Sequence, residues 1–179
     1  MQIMMETKNN LHLYIPRDTI TATVSRLAGE ITADYRDKNP LLVGVLKGGI
    51  VFLADLIRCL DFPLEIDCIK VSSYGAGQQS SGTVSVVQGL NSEVSGRHVL
   101  VVEDIADTGI TLSFLMTYLQ EKSPASLRLC VLLDKPAQRR CDLHIDYIGL
   151  TVPDKFLVGY GLDCSEKYRN LPDIWVMEG

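Results

Sequence analysis

The sequence predicts one α/β domain with a largely parallel sheet, and three observations lead to this. Short, continuous apolar runs recur, LLVGVL at Leu41–Leu46 and VLVV at Val99–Val102 among them, as expected of strands covered on both faces. Segments with apolar residues at helical spacing follow both runs. Glycine, proline and acidic turns mark the joins. Strands alternating with helices build a parallel sheet whose ligands bind beyond the carboxyl ends of the strands.

From Asp18 to about Arg36, Ile20, Val24, Leu27 and Ile31 recur at helical spacing, with Asp18 or Thr19 placed to cap the first turn. Leu41–Leu46 is a buried strand, KGG a turn, and Ile50–Leu60 a helix. A strand is expected over Leu64–Ser72, while Ser73–Gly82, SYGAGQQSSG, holds nothing able to anchor a core. Strands are expected again at Thr83–Gln88 and His98–Val102, then a helix marked by Leu112, Leu115, Met116 and Leu119. Further strands fall at about Leu127–Leu133, Ile145–Leu150, Phe156–Tyr160 and Ile174–Met177, with Pro136, Pro153 and Pro172 between them.

Composition excludes several classes. The 179 residues are 46% hydrophobic and 22% charged, enough for a proper core and unlike a disordered chain. A net charge of -5 and a pI near 5.1 argue against a general phosphate-backbone binder. The five cysteines, Cys59, Cys68, Cys130, Cys141 and Cys164, contain no CxxC pair, so buried reduced thiols are expected. The histidines His12, His98 and His144 lack ligand spacing. GAGQQS fails the dinucleotide pattern at its sixth position, and no lysine-bearing P-loop occurs. MQIMMETKNN carries no basic segment followed by an apolar run, so a cytoplasmic protein is expected, with Met1, Met4 and Met5 as rival starts.

The chemistry concentrates in VLVVEDIADTGIT, Val99–Thr111. Burial of the apolar run draws Glu103 and Asp104 towards a low-dielectric core, where carboxylates need a cation, a proton or water. DTGIT, Asp107–Thr111, then supplies a strand-to-helix turn. Its free amides, the glycine and the hydroxyls of Thr108 and Thr111 suit a phosphate. Carboxylates beside a phosphate fit if they hold magnesium or accept hydrogen bonds from sugar hydroxyls.

This stretch resembles the phosphoribosyl pyrophosphate signature of the type I phosphoribosyltransferases. LKGG at Leu46–Gly49, SSYG at Ser72–Gly75 and PDKFLVGYGLD at Pro153–Asp163 resemble the hypoxanthine-guanine branch of that family. The resemblance implies the type I phosphoribosyltransferase fold over residues 1–179 as a single domain, with a core at about 18–150. A small hood over the base site would come from the N-terminal segment and about 151–179.

The resemblance also implies roles. Lys47, Gly48 and Gly49 match the pyrophosphate loop, where a cis peptide before the lysine lets an amide face the leaving group. Glu103 and Asp104 would hold the ribose hydroxyls, directly or through Mg2+, and Asp107 would lie near N7 of the purine as general acid or base. Thr108, Gly109 and Thr111 would bind a phosphate of phosphoribosyl pyrophosphate. Lys135 would donate to O6, which favours 6-oxopurines over adenine. Phe156 would stack on the base, with Ile105 and Leu157 also contacting it. Asp163 would bind a second magnesium and stand at the base site, Arg169 would reach the pyrophosphate, and Ser73 and Tyr74 would lead a closing lid. Ordinary alternatives stand beside these: Asp107 as a helix N-cap, Lys135 as a solvated strand-end lysine, Phe156 as core.

Two positions depart from the family pattern: Ile110, where some relatives carry lysine, and Cys164, where an aromatic is frequent. The function implied is transfer of the phosphoribosyl group to N9 of hypoxanthine or guanine by a homodimer or homotetramer, with small-molecule substrates and neither nucleic acid nor membrane as partner. The rivals are an RNA-binding attenuation regulator of the same fold, which would need a basic face, and a xanthine-preferring transferase.

Overall fold

The computed structural model describes residues 10–73 and 84–178. Their strands are β1 (Leu11–Ile15), β2 (Leu41–Leu46), β3 (Glu65–Ser73), β4 (Val84–Gln88), β5 (His98–Ala106), β6 (Ser126–Asp134), β7 (Tyr147–Thr151), β8 (Leu157–Val158) and β9 (Ile174–Met177). The helices are α1 (Arg17–Tyr35), α2 (Gly49–Arg58) and α3 (Ile110–Gln120), with a 3-10 turn at Pro136–Gln138.

Six strands form one sheet in the order β4-β3-β2-β5-β6-β7. It is parallel except for β4, which returns antiparallel on the edge. The central strands are apolar throughout because both faces are covered: Leu41, Leu42, Val43 and Val99–Val102 are fully buried. Alternate residues feed opposite cores. Leu42, Leu100 and Leu132 meet α1 and α2, while Val43, Val101 and Val131 meet α3.

A second, three-stranded antiparallel sheet, β1-β9-β8, ties the N-terminal segment to the C-terminal one. Sequence reading missed β1, whose LHLYI is short and only partly buried; its pairing with β9 makes it a strand. No helix among the described residues is long and apolar enough to cross a membrane.

Three local expectations are corrected. Neither Asp18 nor Thr19 caps α1: Pro16 holds that position, and Asp173 Oδ1 accepts from the Arg17 amide (2.7 Å). A remote carboxylate thus does the work of a local cap. β5 does not stop at Val102 but runs to Ala106, pairing with β6 as far as Asp134. The thiols are free, but Cys130 alone is fully enclosed, and Cys59 is exposed.

Candidate active site

The longer β5 places the acidic pair within the sheet. Glu103 and Asp104 are 8% and 7% exposed. Neither pairs with a lysine or arginine within 4.0 Å among the described residues. Burial, with Asp104 alongside, pushes the Glu103 carboxyl well above the usual carboxylate range. Burial also raises Asp104, opposed by its hydrogen bonds with Glu103 and the Ile105 amide and by the charge of Arg169. Two carboxylates held at this cost face whatever cation or hydroxyl ligand is brought to them.

Gly48 makes room for that arrangement. A Cβ there would lie 1.8 Å from Asp104 Oδ2. On its other side comes Gly161, in the left-handed region at φ +98, whose added Cβ would lie 2.2 Å from the Gly48 carbonyl. The KGG turn is therefore clamped between the acidic pair and the 159–171 loop. The Leu46–Lys47 peptide bond is cis.

DTGIT forms the turn into α3. Gly109 is the cap residue, at φ 82, so Asp107 is not the N-cap, and the Ile110 amide donates at 3.5 Å to the Thr108 hydroxyl instead. The first helical hydrogen bond runs from the Ser113 amide to Gly109 O (2.8 Å), which leaves the amides of Thr111 and Leu112 open at the turn. Thr108 and Thr111 flank them, half-buried.

Lys135 is no solvated strand end. Its side chain is 9% exposed, with Nζ 3.8 Å from Asp107 Oδ2 and 3.7 Å from Asp154 Oδ1. Its amide donates to Ala106 O (2.9 Å), so the two β-strand ends carry Asp107 and Lys135 side by side.

A third group gathers around Glu166. Lys47 Nζ lies 2.7 Å from Glu166 Oε2, and Arg169 Nη2 lies 2.7 Å from Asp163 Oδ1 and 3.7 Å from Glu166. The Lys47 hydrogen bond holds the Glu166 carboxyl below its ordinary range. Asp163 Oδ2 accepts from the Glu166 amide (2.8 Å), so both its oxygens are engaged within its own loop. Leu157 is buried in β8, Ile105 is half-buried beside the core, and Phe156 is 55% exposed rather than core. Ser73 ends β3; Tyr74 and the rest of the expected lid to Gly82 lie outside the described residues.

Glu166 escaped the sequence reading, and so did two residues around the Asp107–Thr111 turn and Lys135. Arg139 pairs with Asp134 and packs its Cδ 2.9 Å from the point a Gly109 Cβ would occupy. The neighbouring Arg140 amide donates to Thr108 O (2.9 Å), so this segment braces the turn into α3. Asp154 is the other. KPAQRR marks Arg139 as no more than solvated charge, and PDKFLVGYGLD, although it carries the resemblance, gives Asp154 no role; only the meeting of separate strand ends does.

A parallel sheet with buried carboxylates and an open glycine-threonine turn at the carboxyl end of its central strand defines an α/β protein whose ligand site lies beyond the strand ends, at a turn suited to an anion. The comparisons make this specific: the chain belongs to the phosphoribosyl transferase family, whose domain model matches residues 16–165. It is 46% identical over 164 residues to the hypoxanthine-guanine phosphoribosyltransferase of Bacillus subtilis, covering 92% of this chain and 91% of that protein. It is 47% identical over 92% of its length to the bifunctional protein TilS/HprT of Listeria monocytogenes, but spans only 25% of that protein. Among solved structures, a hypoxanthine phosphoribosyltransferase from Staphylococcus aureus superposes with a TM-score of 0.91 at 40% identity, over 96% of this chain and 94% of that one.

Proposed function

We propose that this protein is a purine-salvage phosphoribosyltransferase that joins N9 of hypoxanthine, and of guanine, to C1 of phosphoribosyl pyrophosphate, releasing pyrophosphate. The observation that carries this is the pairing of Lys135 with Asp107 at 3.8 Å, one strand end from the buried acidic pair. A buried donor for O6 and a carboxylate for the ring proton stand together where a base would meet the sugar.

The turn Asp107–Thr111 takes the 5-phosphate through its open amides and hydroxyls. Glu103 and Asp104 lie under the ribose and accept from its hydroxyls. Lys135 donates to O6, and Ile105, Phe156 and Leu157 form the remaining base contacts. As the bond from C1 to the pyrophosphate oxygen breaks and N9 bonds to C1, the carboxylates stabilise the positive charge on the sugar. Asp107 takes the proton the purine releases. Lys47, the Gly48 amide and Arg169 receive the pyrophosphate, for which Lys47 and Arg169 must leave Glu166.

Glu103, Asp104 and Asp163 offer hard oxygen donors that fit magnesium, but among the described residues no three such groups cluster. Mg2+ would therefore be held largely by substrate oxygens and water, where it would neutralise charge on the leaving group. We assign the small sheet and the segment from about 151 to 179 as the hood over the base, residues 18–150 as the core of a single domain, and Ser73 and Tyr74 to the lid. A cytoplasmic homodimer or homotetramer completes the reading.

Following hypoxanthine, guanine and xanthine spectroscopically with phosphoribosyl pyrophosphate and magnesium tests it. Turnover of the first two is expected. Binding without turnover would favour a regulator of the same fold, and a preference for xanthine would change the substrate.

A further inference from the structure

Lys135 has two counter-ions, and only one has a part in the chemistry proposed above. Asp107 and Asp154 approach Nζ from different loops, at 3.8 and 3.7 Å. Both contacts are ion pairs too long to be direct hydrogen bonds. The ammonium therefore stands between the carboxylates with its N–H donors free for a further acceptor.

The two carboxylates are held differently. Asp107 follows the end of β5, directly before the phosphate-type turn, and is 48% exposed. Asp154 comes from the segment after β7. That segment is tied back to the lysine's own strand by the Val152 amide on Asp134 O (2.8 Å). Asp154 also accepts a hydrogen bond from Gln138 in the 3-10 turn that begins just after Lys135. Lys135, Gln138 and Asp154 thus form one braced unit.

Binding of the base already draws Asp107 to the ring N–H whose proton it later takes. A lysine only 9% exposed would then lose half its compensation during the step in which it must hold O6, and a buried ammonium tolerates that poorly. We infer that Asp154 is a positioning residue for Lys135: it keeps the ammonium paired and aimed when Asp107 turns to the base, and so sets the affinity for the 6-oxo group. This rests on the transferase reading and extends it to a residue that touches no substrate.

The experiment compares steady-state kinetics of the wild type, Asp154→Asn, Asp154→Glu, Lys135→Met and the Lys135→Met/Asp154→Asn double variant, with hypoxanthine and phosphoribosyl pyrophosphate. In Asp154→Asn the KM for hypoxanthine should rise about tenfold, with kcat within about threefold and the KM for phosphoribosyl pyrophosphate unchanged. Asp154→Glu should restore much of the loss. The double variant should bind the base no worse than Lys135→Met alone, since a residue acting through Lys135 has nothing left to act on. If Lys135→Met weakens hypoxanthine but Asp154→Asn does not, or if the two losses add, the role of Asp154 is overturned and that of Lys135 stands. If Lys135→Met itself leaves the base KM unchanged, the transferase reading of the lysine fails, and this inference with it.

Discussion

Gly48 and Asp104 occupy space that cannot be shared with a side chain: a Cβ on the glycine would sit 1.8 Å from the aspartate Oδ2 and 2.7 Å from its Cγ. The turn after β2 and the end of β5 are thus fitted to each other at one atom. Gly48→Ala should push them apart, costing about 1–3 kcal/mol of stability and about 10²-fold in kcat/KM through misplacement of the acidic pair. Gly29 is the internal control. It lies on the exposed side of α1 with nothing within 4 Å of an added Cβ, so Gly29→Ala should stabilise by about 0.5–1 kcal/mol with activity unchanged. Thermal melts and kinetics of both variants check the pair.

Asp107→Asn should lower kcat by about 10²–10⁴-fold while base and sugar affinities change much less, since the amide keeps the shape but cannot take the proton. Single-turnover rates with saturating substrates read the chemical step directly.

Lys135→Met should weaken hypoxanthine by about 1–3 kcal/mol, because O6 loses its donor. Asp107 and Asp154 are half exposed, so water can solvate them and the fold should survive. Binding of phosphoribosyl pyrophosphate to the free enzyme, measured by calorimetry, should stay as it was.

Glu103→Gln removes a carboxyl whose ionisation burial opposes, yet can keep the acceptor oxygen that meets the Asp104 amide at 3.1 Å. The ligand-free variant should be more stable by about 1–2 kcal/mol at neutral pH, with a higher melting temperature, and turn over more slowly. A lower melting temperature together with full activity would contradict the placement of Glu103 under the sugar.

Asp34 gives the pH dependence. Its carboxyl accepts from Tyr147 and Arg128, and these bonds hold its pKa below the ordinary value. A carboxylate lowered on folding contributes stability above its unfolded pKa, and that contribution is lost as pH falls through the folded one. Asp34→Asn should therefore melt below the wild type at pH 7, by about 1 kcal/mol or less given its exposure. The gap should narrow below about pH 4. Melts across that range check the sign.

The strand-helix order, the parallel sheet and the acidic turn are legible because each is written in a short stretch: LLVGVL and VLVV are short and rich in valine and leucine, as strands covered on both faces are, and DTGIT carries its glycine and hydroxyls in a row. Which separate stretches meet is settled by the folded chain alone. β1 is a strand because β9 offers it a partner, and α1 is capped from Asp173 across 156 residues. Lys135 is enclosed because the ends of β5 and β7 close on it with Asp107 and Asp154. Arg139 braces Gly109 for the same kind of reason. Local propensity and periodicity act over a few residues, whereas burial and ion pairing act wherever the folded chain brings groups together.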